Sequence, residues 1–70
     1  MIVQQLLNII DTHEVTHIVI SPINNPVLGV RPSSGRWVSV DIHDTNSIYE
    51  IANLDIISLG VMNNMLHITV

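Results

Sequence analysis

The chain has no cysteine and no lysine, and only 11% of its 70 residues are charged. Without cysteine, neither a disulfide nor a thiolate zinc site can stabilise the fold. We expect residues 1–70 to form a single domain, which at this length is only marginally stable alone. Because 47% of the residues are hydrophobic, we expect some apolar surface to bind a second copy of the chain.

Basic side chains and long apolar runs are also scarce. The two arginines and the net charge of −4 offer no basic footprint for nucleic acid or for an anionic membrane surface. No apolar run reaches the ~18 residues of a transmembrane helix. The first ten residues lack the basic region and cleavage site of a signal peptide. We therefore expect a cytoplasmic protein whose partners include neither nucleic acid nor membrane.

Catalytic motifs are missing as well. The chain has no Walker-type loop, no G-x-G-x-x-G and no G-x-S-x-G. Ser39, Asp41 and His43 alternate along one predicted strand, but a triad needs its base between the nucleophile and the carboxylate. We therefore predict a protein without enzymatic activity and without a cofactor.

The most regular pattern lies at the end of the sequence, in LDIISLGVMNNMLHITV, residues 54–70. Apolar residues alternate along both arms, which is typical of a half-buried antiparallel hairpin. Asn63 and Asn64 tolerate positive φ and favour a primed turn between the arms. The alternation predicts that these side chains face the core: Ile57, Leu59, Val61, Leu66, Ile68 and Val70.

The rest of the chain predicts an α+β fold. Met1–Asp11 has six apolar residues on one side (Ile2, Val3, Leu6, Leu7, Ile9 and Ile10) and polar residues on the other, which indicates a helix packed on a sheet. A capping-box pattern at Ser47 and Glu50 favours a second short helix within Asp44–Asn53, with Ile48, Ile51 and Ala52 inward. Further strands are predicted at Val15–Ser21, Val27–Arg31 and Arg36–His43. Together these give one N-terminal helix on a mainly antiparallel sheet of about five strands.

Strand alternation places His17, His43 and His67 on the sheet face opposite the core. Three imidazoles on one face, with Asp41 nearby, form a hypothetical site for zinc or a similar metal. The alternative is that these are ordinary exposed histidines, since each is on a different strand and no local ligand spacing links them. We favour the alternative and assign no metal ligand.

The same outer face is predicted to carry several apolar residues. These are Val15, Val19, Trp37, Ile56 and Met65. One interpretation is a protein interface anchored by Trp37, because tryptophan is enriched at binding hot spots. The other is that the loop Pro22–Pro26 or the second helix covers this face within the chain.

Arg31 and Arg36 flank a turn made of Pro32, Ser33, Ser34 and Gly35. Guanidinium groups beside such a turn can bind an anion. An oligomer that sequesters a phosphorylated or nucleotide ligand is therefore an alternative function. The simpler interpretation is that both arginines are solvated residues at the ends of a hairpin.

Three segments, IVQQLLNII, VTHIVIS and LDIISLGVMNNMLHITV, resemble a group of short uncharacterised accessory proteins from phages and prophages of low-GC Gram-positive bacteria. The chain departs from that group at Asn63 and Asn64, where an acidic turn is usual, and in having no lysine. The resemblance implies a phage accessory protein inside a bacterial cell, such as an inhibitor of a host defence protein. It assigns no functional residue. The function that we predict is a self-associating protein-interaction module.

Overall fold

The computed structural model describes all 70 residues and contains two helices and four strands. In chain order these are α1 (Val3–Ile9), β1 (His17–Ser21), β2 (Val38–Asp41), α2 (Thr45–Ile51), β3 (Ser58–Met62) and β4 (Met65–Thr69). The α+β class, the N-terminal helix and the second short helix are confirmed. The sheet has four strands, one fewer than predicted.

The strands lie in the order β2-β1-β4-β3. The two outer pairings are antiparallel and the central pairing of β1 with β4 is parallel. Ile18 of β1 lies opposite Val40 on one side and Leu66 on the other. The sheet is therefore mixed, with β2 and β3 at its two edges.

The predicted terminal hairpin is confirmed, with Asn63 at φ 53° and Asn64 at φ 62° between β3 and β4. Two consecutive positive φ values are the conformation of a type I′ turn, whose twist matches that of the strands.

The predicted burial of one arm is wrong, however. The exposed fractions are 52% for Ile57 and Leu59 and 75% for Val61. Leu59 and Val61 do share a face with buried Ile68 of β4, but β3 is an edge strand and its face is left uncovered.

The predicted fifth strand, Val27–Arg31, is a tight reversal. Val27 and Val30 each donate a backbone N–H to the other's carbonyl, at N···O distances of 3.0 and 2.8 Å. Leu28 and Gly29 between them have φ values of 46° and 85°. The chain reverses direction between Val27 and Val30, so this segment does not extend as a strand.

The core lies on one face of the sheet, beneath both helices. Helix α1 contributes Val3 and Leu6 and helix α2 contributes Ile51. The other buried members of this cluster are Ile18, Ile20, Val27, Val40, Ile68 and Val70. Helix α1 is shorter than predicted and ends at Ile9, which is 71% exposed and does not face inward as expected.

Two local contacts fix the positions of the helices. The N–H groups of Val3 and Gln4 at the start of α1 donate to carbonyls at residues 54 and 52, at 3.0 and 2.9 Å, which satisfies donors that a helix leaves unpaired. Helix α2 is capped by Asp44, whose carboxylate accepts from the N–H and hydroxyl of Ser47 at 3.4 and 2.9 Å. Ser47 was expected to be the cap, and this was wrong by three residues.

Candidate interaction surface

The sheet face opposite the helices carries part of the predicted apolar group. Val19 of β1 lies on this outer face between Ser39 and His67 of the neighbouring strands, and is only 3% exposed. Trp37 immediately precedes β2 and is 63% exposed, and Met65 at the start of β4 is 37% exposed. Strand alternation therefore brings Val19, Trp37 and Met65 to one side of the sheet.

Val15 and Ile56 lie elsewhere. Both pack, partly buried, against the core cluster. Each lies two residues before its strand, beyond the regular alternation that was used to place it. The N–H of Ile56 donates to the carbonyl of Met1 at 2.8 Å, which holds this residue beside α1. The predicted five-residue outer face is thus reduced to three of its members.

The loop expected to cover the outer face packs at the end of the sheet. The N–H groups of Ile23 and Asn24 donate to the carbonyl of Val70 at 2.6 and 2.9 Å, and Pro22 is buried. Ile51 of helix α2 packs into the core on the other face. Trp37 consequently remains exposed.

The three histidines do not converge. The Nε2 atom of His17 is 3.9 Å from a carboxylate oxygen of Asp41 on the adjacent strand, with both side chains about half exposed. A contact between two side chains as exposed as these contributes little to stability. His43 lies in the turn after β2, where its N–H donates to the Asp41 carboxylate at 2.8 Å, and His67 lies on β4. No group of three or more His, Asp or Glu side chains is placed to hold a metal ion.

The two arginines are exposed on the loop between β1 and β2. The turn between them uses its polar groups internally. The Ser34 hydroxyl accepts from the N–H of Arg36 at 3.3 Å, and the Ser33 hydroxyl donates to the carbonyl of Ile23 at 3.3 Å. The Ser33 hydroxyl is therefore not free to donate to an anion held between Arg31 and Arg36, whereas the Ser34 hydroxyl, as an acceptor, keeps its hydrogen.

One cavity, of about 210 Å³, opens between the start of β1 and the hairpin turn. It is lined by Glu14, Val15, Thr16, His17, Asn64, Met65 and Leu66. Ligand pockets usually enclose about 300–1,000 Å³. This cavity is smaller, and neither arginine lines it.

The strongest surface feature is the free edge formed by β3, which the sequence prediction placed in the core. Every residue of β3 is exposed. Leu59, Val61 and Met62 are 52, 75 and 59% exposed, and the strand carries no charge. An exposed, uncharged edge strand is a template for pairing with another chain. In the sequence, this exposed edge is indicated only by the absence of charged residues from the segment that forms β3.

Comparison of the chain with family models, with curated proteins and with solved structures found no match. Neither helix is long and apolar enough to cross a membrane.

Proposed function

We propose that this protein is a small non-enzymatic binding module that associates with copies of itself. One observation carries the proposal: β3 lies at a sheet edge, is exposed along its whole length and has no charged residue. Removing the apolar side chains of this edge from water favours association. Native edge strands are usually protected by charges, proline or a covering segment, and β3 has none of these.

The proposal is tested by the solution mass from light scattering across a wide range of concentration. We expect the wild type to exceed the 7.8 kDa of one chain increasingly as concentration rises. Val61→Glu places a carboxylate on the exposed edge and should keep the mass at that of one chain. Ile9→Glu is the matched control, because Ile9 is similarly exposed, at 71% against 75%, but lies on α1.

Two results would contradict this proposal. A wild type that stays at 7.8 kDa at every concentration would rule out self-association. If Ile9→Glu reduces the mass as much as Val61→Glu, the added charge accounts for the effect and the location of β3 does not.

A second protein is the further partner that we propose for the outer face. Trp37 and Met65 are exposed there. Trp37 precedes β2 at the side of the sheet opposite β3, whereas Met65 is on β4 beside β3. Tryptophan is enriched where proteins bind most strongly. The resemblance to phage accessory proteins supports a host protein, such as a component of a defence system, as this partner.

A further inference from the structure

Alternate residues of β3 direct their backbone groups away from β4. Met62 and Met65 flank the two-residue turn and therefore form a hydrogen-bonded pair. Because such pairs alternate along an antiparallel ladder, the next hydrogen-bonded residue of β3 is Gly60. Leu59 and Val61 consequently direct their N–H and C=O groups to the free edge of the sheet.

The contacts of β4 give the same alternation independently. The N–H of Val70 donates to the carbonyl of Ser21 at the end of β1, at 3.1 Å. The carbonyl of Thr69, one residue earlier, accepts from the N–H of Ile57 at 2.7 Å. Thr69 of β4 and Val70 just after it thus direct backbone groups to β3 and β1 in turn, which agrees with the assignment made from the turn.

We infer that a second copy of this chain pairs with β3 in an antiparallel register centred on Gly60. In that register, Leu59 lies opposite Val61 of the second copy, and Val61 lies opposite its Leu59. The N–H and C=O groups that Leu59 and Val61 direct to the free edge then hydrogen-bond to the same groups of the second copy. Gly60 lies on the two-fold axis that relates the two chains. This inference rests on the proposed self-association and specifies its geometry.

Neighbouring registers satisfy fewer groups. Centring the pair on Leu59 would place Val61 opposite Ile57, whose N–H already donates to Thr69. Centring it on Val61 would place Leu59 opposite Asn63, which is in the turn at φ 53°. Only the register centred on Gly60 pairs both outward-facing residues with each other.

The side chains of β3 suit a copy of the same strand. Gly60 meets itself in a non-hydrogen-bonded pair, where Cα atoms approach to about 4.5 Å, and it has no side chain to obstruct that approach. Leu59 faces Val61 of the second copy on the core side, an apolar cross-strand pair. Because β3 has no charge, two chains of net charge −4 bring no like charges together along it.

The other edge of the sheet is a poorer partner for β3. Strand β2 has four residues and ends at Asp41, and a charge on an edge strand discourages pairing. A contact between β3 and β2 would also join different surfaces, which builds rings or open polymers rather than a closed pair. A pair of β3 strands closes after two chains.

The register is tested by cross-linking the full chain through a single introduced cysteine, since the natural sequence has none. Gly60→Cys should give a covalent dimer on mild oxidation, because the paired Cα atoms are about 4.5 Å apart and disulfides span about 4.4–6.8 Å. Ser58→Cys is the control, with its two Cα atoms about 14 Å apart in this register, four residues along the strand and one strand spacing across. We expect on the order of tenfold more cross-linked dimer from Gly60→Cys, because only that spacing fits a disulfide.

Neither cysteine should disturb the folded chain. A Cβ added at Gly60 has no atom within 4 Å, and Ser58 is exposed. Circular dichroism should therefore match the wild type for both variants.

Charged variants test the axis a second way. Gly60→Lys and Gly60→Glu should each reduce association, because like charges then face each other, and mixing the two should restore it. If light scattering shows a dimer but Gly60→Cys does not cross-link more than Ser58→Cys, the register is wrong and self-association stands. If the wild type is a monomer throughout, both proposals fail. A mass that grows without limit would overturn the closed pair in favour of β3–β2 polymers.

Discussion

Asp44 makes the clearest single-residue contribution to helix formation in this chain. Its carboxylate accepts from both the N–H and the hydroxyl of Ser47 in the first turn of α2. We expect Asp44→Ala to lower the free energy of unfolding by about 1 kcal/mol, because the helix loses its N-cap. Urea denaturation followed by circular dichroism measures this change.

Glu50 provides the control for that prediction. It is exposed and was the partner of Ser47 in the capping box predicted from sequence. Glu50→Ala should leave the unfolding midpoint nearly unchanged. A loss from Glu50→Ala with none from Asp44→Ala would mean that the cap is the one predicted from Ser47 and Glu50.

Residue chemistry made some backbone conformations predictable and left others hidden. Asn63 and Asn64 belong to the residue type that accepts positive φ, so their turn followed from the sequence. Leu28 adopts φ 46° although a left-handed conformation costs such a residue about 1–2 kcal/mol. Its side chain is partly buried against the core, which offsets this cost. A tertiary contact of this kind leaves no local signal, and the predicted strand there was wrong.

At the scale of elements, the two edges of the sheet differ in what they offer a partner. Strand β3 is uncharged, whereas β2 carries Asp41 and is preceded by exposed Trp37. If β3 mediates self-association, Trp37→Ala should leave the mass from light scattering unchanged. The same substitution should weaken binding to the proposed host protein, measured by titration calorimetry.

Tyr49→Ala is the matched control for the outer face. Tyr49 is the one other aromatic residue of the chain and is 85% exposed on α2. It should affect neither the mass nor the binding. A Trp37→Ala variant that keeps both properties at wild-type values would remove the outer face as a binding surface.

Alternation along the strands predicted faces correctly but not their coverage. Ile68 is buried as the pattern predicted, and Ile18, Ile20 and Val40 are buried on the same face of the sheet. Leu59 shares their face and is 52% exposed. Alternation with a period of two predicts the face of the sheet to which a side chain points. Whether other elements bury that side chain depends on the order of the strands. The main candidate surface therefore became visible only in the structure.

Strand order belongs to the whole molecule, and the parallel pairing of β1 with β4 had no counterpart in the prediction. Turn residues, apolar periodicity and a capping pattern act over short stretches of sequence. They predicted the hairpin and the presence of two helices. No short-range sequence pattern predicts the pairing of Ile18 with Leu66, which are 48 residues apart. The central pairing depends on burying both strands beneath the same helices.

The small core predicts a steep response to the loss of a central side chain. Ile68 is 1% exposed on an inner strand. Ile68→Ala should lower the free energy of unfolding by about 2–5 kcal/mol, a large share of what a domain of this size possesses. Ile9→Ala, on the exposed side of α1, should change it by less than about 0.5 kcal/mol. Chemical denaturation followed by circular dichroism compares them, and equal losses would contradict the described core.

The parallel centre of the sheet also bears on the order in which the chain folds. Strand β1 pairs only with segments distant in sequence, whereas β3 and β4 meet across a two-residue turn. Closing the long loops lowers the chain entropy before any core contact has formed to offset that loss. Topologies of this kind therefore fold slowly. The hairpin is the one pairing open to early formation. Until β1 docks against β4, both edges of that hairpin are unpaired, and it is in this interval that nascent chains are most prone to misassemble.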